Sequence, residues 1–213
     1  MHLAPEINKK LDSLKFEGPV QYRDVRRLLQ KALRPWCVKV KLLLDDDLDD
    51  ETFACSGSFN TTADDKPIEI LLHFNAHLND FNFTVRSLQD FKFLVSQVLQ
   101  HELIHQHQYS RRPEAARQSC LYFDIKAGVK SDKEHMDYLA ELDEIDCYAH
   151  DIAMEIREYY PRINPWVVLA SINKRRKIWS WRYYRSTFKH SPDWSDVRNR
   201  LLKKVYLWLP HTI

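Results

Sequence analysis

The spacing of apolar residues along the first third of the chain predicts one helix followed by short strands. Residues 22–33 place apolar side chains at helical spacing and end before Pro35, which indicates an amphipathic helix. Strict alternation begins at residue 38, so a strand is expected over 38–44. Two further strands are expected over 53–59 and 68–74, joined by a polar, hairpin-like loop. Together these segments predict a small, mainly antiparallel sheet.

The strongest helical pattern covers residues 88–109, which contain neither proline nor glycine. Ser87 and Asp90 resemble a capping box at its start. On a 3.6-residue wheel, His101 and His105 lie within about 80° of the apolar residues of this helix. Both histidines are therefore expected to face the core.

A second long helix is predicted over residues 138–159, ending before Pro161. Two or three short helices rich in Trp, Tyr and Arg are expected over residues 164–213. The resulting fold class is α+β, with the small sheet packed on two long helices and a helical C-terminal cap. The apolar stripe of the second helix consists of Tyr138, Leu142, Ile145, Ala149, Ile152 and Ile156.

The composition favours one compact globular domain over residues 1–213. A chain of this length with 44% hydrophobic residues supplies one substantial core, and a second full domain is not expected. The 32 basic and 30 acidic residues nearly balance, so global charge indicates neither a nucleic-acid nor a membrane partner.

The cysteines and the N-terminal sequence indicate the cellular compartment in which the protein is expected. Cys37, Cys55, Cys120 and Cys147 form no CxxC pair, which predicts reduced, mostly buried thiols rather than a zinc ribbon or a disulfide scaffold. The N-terminus lacks the apolar stretch of a secretory signal. No apolar run approaches the roughly 20 residues that span a bilayer. We therefore expect a cytoplasmic protein with no membrane partner.

Residues 101–105 read HELIH, which is the HExxH pattern of zinc hydrolases. Positions four apart lie on one helix face, so His101 and His105 can share one tetrahedral Zn²⁺. Glu102 lies one step around the helix, where its carboxylate can take a proton from a metal-activated water without acting as a ligand. The alternative is two core histidines beside an exposed glutamate.

A catalytic zinc usually has three protein ligands, and the third must come from elsewhere in this chain. Residues 106–112 read QHQYSRR, so the HExxHxxGxxH extension is absent. The second helix is the best source, because it carries five candidate ligands: Glu141, Glu144, Asp146, His150 and Asp151.

The HELIH motif followed by Glu144-x-x-Cys147 and Tyr148-Ala149 resembles the gluzincin branch of the zincins. The combination of HELIHQHQY with DEIDCYAHDIA is similar to uncharacterised metallopeptidases of tailed bacteriophages, over roughly residues 50–160. The resemblance implies a metallopeptidase core over 50–160, a C-terminal cap over 161–213, and Glu144 as the third ligand. Many gluzincins carry a supporting Asp four residues after that Glu. Here the position is Tyr148, and Asp151 is the candidate substitute.

Two alternatives concern the second helix. Glu141 is nearer the apolar stripe than Glu144 by about 60° and is the rival third ligand. Tyr148 is a candidate donor to the developing oxyanion, with simple packing as its alternative. His107 and His150 are expected to be structural or surface residues rather than catalytic ones. Arg111 and Arg112 are candidates for binding a substrate carboxylate.

The sequence thus predicts a zinc metallopeptidase, found in the host cytoplasm if it is phage-encoded. The strand 68–74 is expected at a sheet edge, where it would align an extended peptide by strand addition. The rival is a zincin-fold virion or interaction protein whose zinc site is structural or vestigial. Residues 174–189 interleave basic and aromatic side chains and would be its binding surface. Nucleic-acid binding there is the less favoured interpretation, behind packing around an aromatic core.

Overall fold

The computed structural model describes residues 4–16, 18–61, 67–113 and 131–212, and in these ranges the chain is a mixed α+β protein. The predicted fold class is confirmed. Packing divides the chain into two compact units, Met1–Gln106 and His107–Ile213, and each has its own buried apolar cluster. The division falls near the end of the HELIH helix, whereas the C-terminal cap was predicted to begin at residue 161.

In its described residues, the first unit contains five strands, two complete α-helices and most of a third. Its elements are α1 (Ala4–Asp12), β1 (Gly18–Gln21), α2 (Tyr22–Ala32), β2 (Val38–Asp45), β3 (Ala54–Phe59), β4 (Ile68–Asn75), β5 (Asp80–Phe83) and α3 (Val85–Ser110). The second unit is helical in the residues described, with α4 (Asp132–Leu139), α5 (Leu142–Tyr159), α6 (Pro165–Ala170), α7 (Trp179–Thr187) and α8 (Trp194–Trp208). Within the described ranges, no helix has both the length and the apolar character needed to cross a bilayer.

The main sheet has the strand order β2-β4-β3. Strands β3 and β4 are antiparallel, with Phe59 opposite Ile68, as the predicted hairpin requires. Strand β2 runs parallel to β4, with Val38 opposite the same Ile68. The prediction that residues 68–74 form an edge strand is wrong, because β4 is paired on both sides. Strands β1 and β5, which were not predicted, form a separate antiparallel pair.

The core of the first unit lies on one face of β4. Ile68, Ile70, Leu72 and Phe74 alternate with half-buried residues and are themselves 0–1% exposed. They pack with Val38 and Val40 of β2, Val25 and Leu29 of α2, and Phe91, Val95 and Leu99 of α3. Burial of each such side chain contributes about 1.5–3 kcal/mol, so this layer holds α3 firmly on the sheet.

Helix α5 is the centre of the second unit. Ile145, Ala149, Ile152 and Ile156 are buried against the apolar faces of α7 and α8. The helix predicted over 138–159 is divided, because Ala140 and Glu141 separate α4 from α5 and Glu141 has extended backbone angles. The predicted short C-terminal helices are present, and α8 is the longest at 15 residues.

A buried carboxylate fixes the start of α7. The residue before this helix is Ile178, whose side chain cannot cap it. Glu155 of α5, 2% exposed, accepts hydrogen bonds from the Ser180 backbone N–H at 3.1 and 3.2 Å and from its hydroxyl at 2.8 Å. Glu155 thus supplies from a distance the acceptor that a local cap residue normally provides.

The described cysteines are free thiols with different environments. Cys147 is buried and Cys55 half-buried, whereas Cys37 is exposed, so the prediction of mostly buried thiols is wrong for Cys37. Cys120 lies outside the described residues, as does most of the loop between β3 and β4.

Candidate metal and catalytic site

His101 and His105 lie near the C-terminal end of α3, one turn apart. Their ring centroids are 5.0 Å apart and the ring planes are inclined by 67°. His105 is 4% exposed and His101 is half-buried. A zinc–nitrogen bond of about 2.0–2.1 Å puts each centroid about 3.2 Å from the metal, so a tetrahedral angle would separate the centroids by about 5.2 Å. The two imidazoles therefore have the spacing that a shared zinc needs.

Glu102 is buried between α3 and β3, at 3% exposure. Gly57 of β3 approaches it closely: a Cβ added there would lie 2.7 Å from Glu102 Cγ, 2.8 Å from Glu102 Oε1 and 2.7 Å from Val98 Cγ1. Carbon atoms in ordinary contact are about 3.5–4.0 Å apart, so only glycine permits this approach. The Glu102 side chain therefore packs against the backbone of β3. The alternative to the zinc interpretation required an exposed glutamate, and Glu102 is not exposed.

The thiol of Cys55 is a further group beside Glu102. Burial raises the pKa of Cys55 well above its usual range, and the negative charge of Glu102 raises it further. Cys55 and Gly57 are two residues apart and therefore lie on the same side of β3. Neither was predicted from the sequence to be a site residue. A glycine within a strand is a known sign of close backbone approach, so the signal for Gly57 was available.

In the second unit, Glu144 lies in the first turn of α5 and is 1% exposed. The hydroxyl of Tyr138, on α4, donates a hydrogen bond to Glu144 Oε1. Burial raises the pKa of Tyr183 and of Tyr184, and the carboxylate of Glu144 raises both further. Glu144 therefore lies in a pocket of tyrosines rather than on a solvated helix face.

The other acidic candidates on this helix have different surroundings. Glu141 is exposed and occupies the position before the first turn of α5. Asp146 accepts hydrogen bonds from Trp208 Nε1 at 3.1 Å and Lys204 Nζ at 3.0 Å, which gives it a structural role between α5 and α8. Asp151 is buried, with Oδ1 4.0 Å from His150 Nδ1.

The remaining candidates are mainly in packed positions. The ring of Tyr148 stacks on Tyr183, with centroids 5.8 Å apart, and meets Tyr184 edge-on at 5.0 Å. His150 is buried and meets the Trp208 ring edge-on at 4.9 Å.

The basic candidates that follow the motif differ from one another. His107 and Arg111 are exposed near the end of α3. Arg112 forms an ion pair with Asp143, so a substrate carboxylate would compete with a partner already in place.

In the basic aromatic segment 174–189, aromatic and basic side chains differ in their exposure to solvent. Trp181, Tyr184 and Phe188 are 0–1% exposed and belong to the core of the second unit. Most of the basic side chains of the segment are exposed, as is Trp179, at 60%. This arrangement agrees with the favoured interpretation of basic residues flanking a packed aromatic core.

Comparison of the chain with models of protein families, with curated proteins and with solved structures yields no match. Function is therefore inferred from the residues of the site and from the resemblance of its motifs.

Proposed function

We propose that this protein is a zinc-dependent peptidase in which His101 and His105 hold the metal and Glu102 is the catalytic base. The observation that carries the proposal is the pairing of two imidazoles 5.0 Å apart with a carboxylate buried beside them. A structural pair of core histidines has no need for an adjacent buried glutamate. Burying a carboxylate costs stability unless it is compensated, so its retention there favours a chemical role.

Glu144 is the proposed third ligand, as the gluzincin resemblance implies. Its burial and its hydrogen bond from Tyr138 support it over Glu141, which is exposed. Metal-binding carboxylates are commonly oriented by a hydrogen bond to the second oxygen. Tyr148 is retained as the proposed donor to the oxyanion.

Bound zinc would supply a Lewis acid for the peptide carbonyl and would make a water molecule more acidic. The contribution of the chain is to position the groups around it. Glu102 takes the proton of the attacking water and returns it to the leaving amine. Gly57 restricts the movement of the Glu102 side chain, so that the carboxylate need not be reoriented during the reaction.

The test compares the wild-type protein with Glu102→Gln on a library of unfolded proteins and peptides, with zinc content measured for both. Glutamine keeps the shape of the side chain but cannot accept a proton, so we expect equal zinc and a loss of about 10²–10⁴-fold in turnover. Glu51→Gln, in an exposed loop, is the control and should retain full activity. Equal turnover by Glu102→Gln and wild type would refute the role of Glu102.

A second candidate function is a virion or interaction protein that keeps the zinc site. The observation in its favour is an exposed apolar patch on the second unit. Trp166 and Tyr206 pack against each other at 4.5 Å between ring centroids, and both are exposed, as are Val167 and Leu207. Exposed patches of this kind are typical of interaction surfaces. A wild-type protein that holds one zinc but cleaves nothing in the library would favour this candidate.

A further inference from the structure

The basic aromatic segment 174–189 carries positive charge that no nearby part of the sequence balances. Residues 159–192 contain lysines and arginines but no aspartate or glutamate, although acidic and basic residues are nearly equal in number over the whole chain. The basic side chains exposed in α7 and in the residues that lead into it form no ion pair with a carboxylate of the described residues. We call them the α7 basic surface, which consists of Lys174, Arg176, Lys177, Arg182 and Arg185.

One hydrogen bond joins the two parts of this surface. Arg182 Nη1 donates to the Arg176 carbonyl oxygen at 3.2 Å, so the residues before α7 lie against the helix itself. On α8 of the same unit, by contrast, Lys204 Nζ lies 3.0 Å from the carboxylate of Asp146. The α7 basic surface is therefore a local excess of positive charge on a nearly neutral protein, and such a surface attracts anions.

Trp179 lies within this surface, one helical turn before Arg182, and is 60% exposed. Its ring is parallel to that of Tyr183 to within 5°, with the centroids 5.3 Å apart. The Tyr183 hydroxyl is in turn 2.6 Å from His135 Nε2, which holds the stacked pair in place. Packing around an aromatic core accounts for the segment's other large apolar side chains, which are 0–1% exposed: Ile178, Trp181, Tyr184 and Phe188. It accounts neither for Trp179 nor for the unpaired cations.

We propose that the α7 basic surface binds single-stranded nucleic acid, with Trp179 stacking on a base and the lysines and arginines contacting phosphates. Proteins that bind single strands without sequence preference combine these two features. A bilayer fits less well, because Trp179 is the only large apolar side chain exposed within 174–189, all of which the structure describes. An acidic protein segment would match the charge, but its carboxylates offer no flat surface to the indole. This inference does not depend on the proposed zinc site.

The test uses the full chain and a fluorescein-labelled oligo(dT) strand of about 12 nucleotides, with oligo(U) and a DNA duplex of the same length as separate arms. Anisotropy titrations between about 50 and 200 mM NaCl give the affinity and its dependence on salt. We expect the single strands to bind more tightly than the duplex. The logarithm of the association constant should fall with the logarithm of the salt concentration at a slope of about −2 to −3.5, as about three to five phosphate contacts require.

The contribution of stacking is measured with Trp179→Ala. Loss of one stacked base should weaken oligo(dT) binding about 5–150-fold and leave the salt slope unchanged, because no charge is removed. Trp179→Phe keeps a stacking ring and should recover part of the affinity. Trp166→Ala removes another exposed tryptophan of the same unit and should bind as the wild type does. Circular dichroism establishes that each variant is folded.

The contribution of charge is measured with Lys174→Gln/Lys177→Gln, which should weaken binding and make the salt slope shallower by about 1–1.5. Lys9→Gln/Lys10→Gln, on exposed positions of α1, changes the net charge equally and should leave the slope unchanged.

Three results would overturn the inference. The first is a wild-type protein that binds neither single strand at low salt. The second is equal affinity of wild type and folded Trp179→Ala for oligo(dT). The third is displacement of labelled oligo(dT) by poly-glutamate, or by phosphatidylserine vesicles, as effectively as by unlabelled oligo(dT) at equal charge concentration. That result would assign the surface to an acidic protein or to a membrane instead.

Discussion

Gly57→Ala is the sharpest test of how β3 and α3 together hold the carboxylate of Glu102, the proposed catalytic base. The added methyl group would meet Glu102 Cγ and Val98 Cγ1, each at 2.7 Å. Ordinary carbon contacts lie at about 3.5–4.0 Å, so the two elements must separate by nearly 1 Å or the side chains must move. Val98 is β-branched and has essentially one rotamer in a helix, so the movement falls on Glu102 or on the strand.

Overpacking of this kind costs about 1–3 kcal/mol in the free energy of unfolding. With an m-value of about 2 kcal/mol/M, the urea midpoint should fall by about 0.5–1.5 M. Peptide hydrolysis should fall as the carboxylate is displaced. Zinc content should be unchanged, because the three atoms nearest the added methyl group belong to Glu102 and Val98 rather than to His101 or His105.

The assay is urea unfolding followed by circular dichroism, together with zinc analysis and turnover on the same preparations. Ser58→Ala is the control, because Ser58 is the next residue on β3 and points to the opposite side of the strand. We expect it to change the midpoint little. A Gly57→Ala protein with the wild-type midpoint and wild-type turnover would refute the close packing of β3 on Glu102.

Three further predictions concern single side chains. His105→Ala should abolish zinc binding, whereas His107→Ala, an exposed histidine of the same helix, should keep it; zinc analysis of both decides. Glu144→Ala should weaken zinc binding more than Glu141→Ala, and the reverse order by chelator competition would exclude Glu144 as the ligand. Because burial and Glu102 raise the pKa of Cys55, its thiol stays protonated at pH 8 in the folded protein, so mass spectrometry should find it alkylated only after unfolding. The stability contributed by that protonated thiol is complete below about pH 8.5, the usual cysteine pKa, and should decline as the pH rises above it.

Periodicity was sufficient to predict the elements with long, regular patterns. Strands β2, β3 and β4 and helix α3 agree with their predicted ranges to within a few residues, because their apolar faces repeat at two or at 3.6 residues. Strands β1 and β5 have only four residues each, too few for alternation to stand out from the flanking sequence. Periodicity also says nothing about which strands become neighbours. The position of β4 between β2 and β3 follows from the parallel pairing with β2, a long-range contact that no local pattern encodes.

The candidate site also has a part that the local sequence predicts and a part that depends on long-range contacts. The HELIH motif specifies a local geometry, since a regular helix fixes the relation of positions 101, 102 and 105. The contacts that hold Glu102 come from β3, more than 40 residues earlier in the chain. Those contacts depend on the register of the sheet against the helix, which only the folded structure supplies.

The ranking of Glu141 over Glu144 on the helical wheel depends on treating residues 138–159 as one helix. A wheel assumes one axis through residues 138–159, and it placed Leu142 on the buried stripe. Leu142 is 63% exposed, because the helix restarts at that residue after the break. Within α5 the predicted stripe holds, because Ile145, Ala149, Ile152 and Ile156 are buried. It does not continue across the break to Leu142, and the inferred advantage of Glu141 depended on that continuation.

From Glu144 onward, α5 is buried on more than one face. Ile145, Ala149 and Ile152 lie in the apolar core, while Glu144, Cys147 and Asp151 form a second buried row at spacings of three and four residues. A helix buried on several faces gives no single apolar stripe against which a glutamate can be ranked. The relevant criterion is then whether a buried carboxylate has a partner that orients it. Glu144 meets this criterion through Tyr138, and Glu141 is not buried.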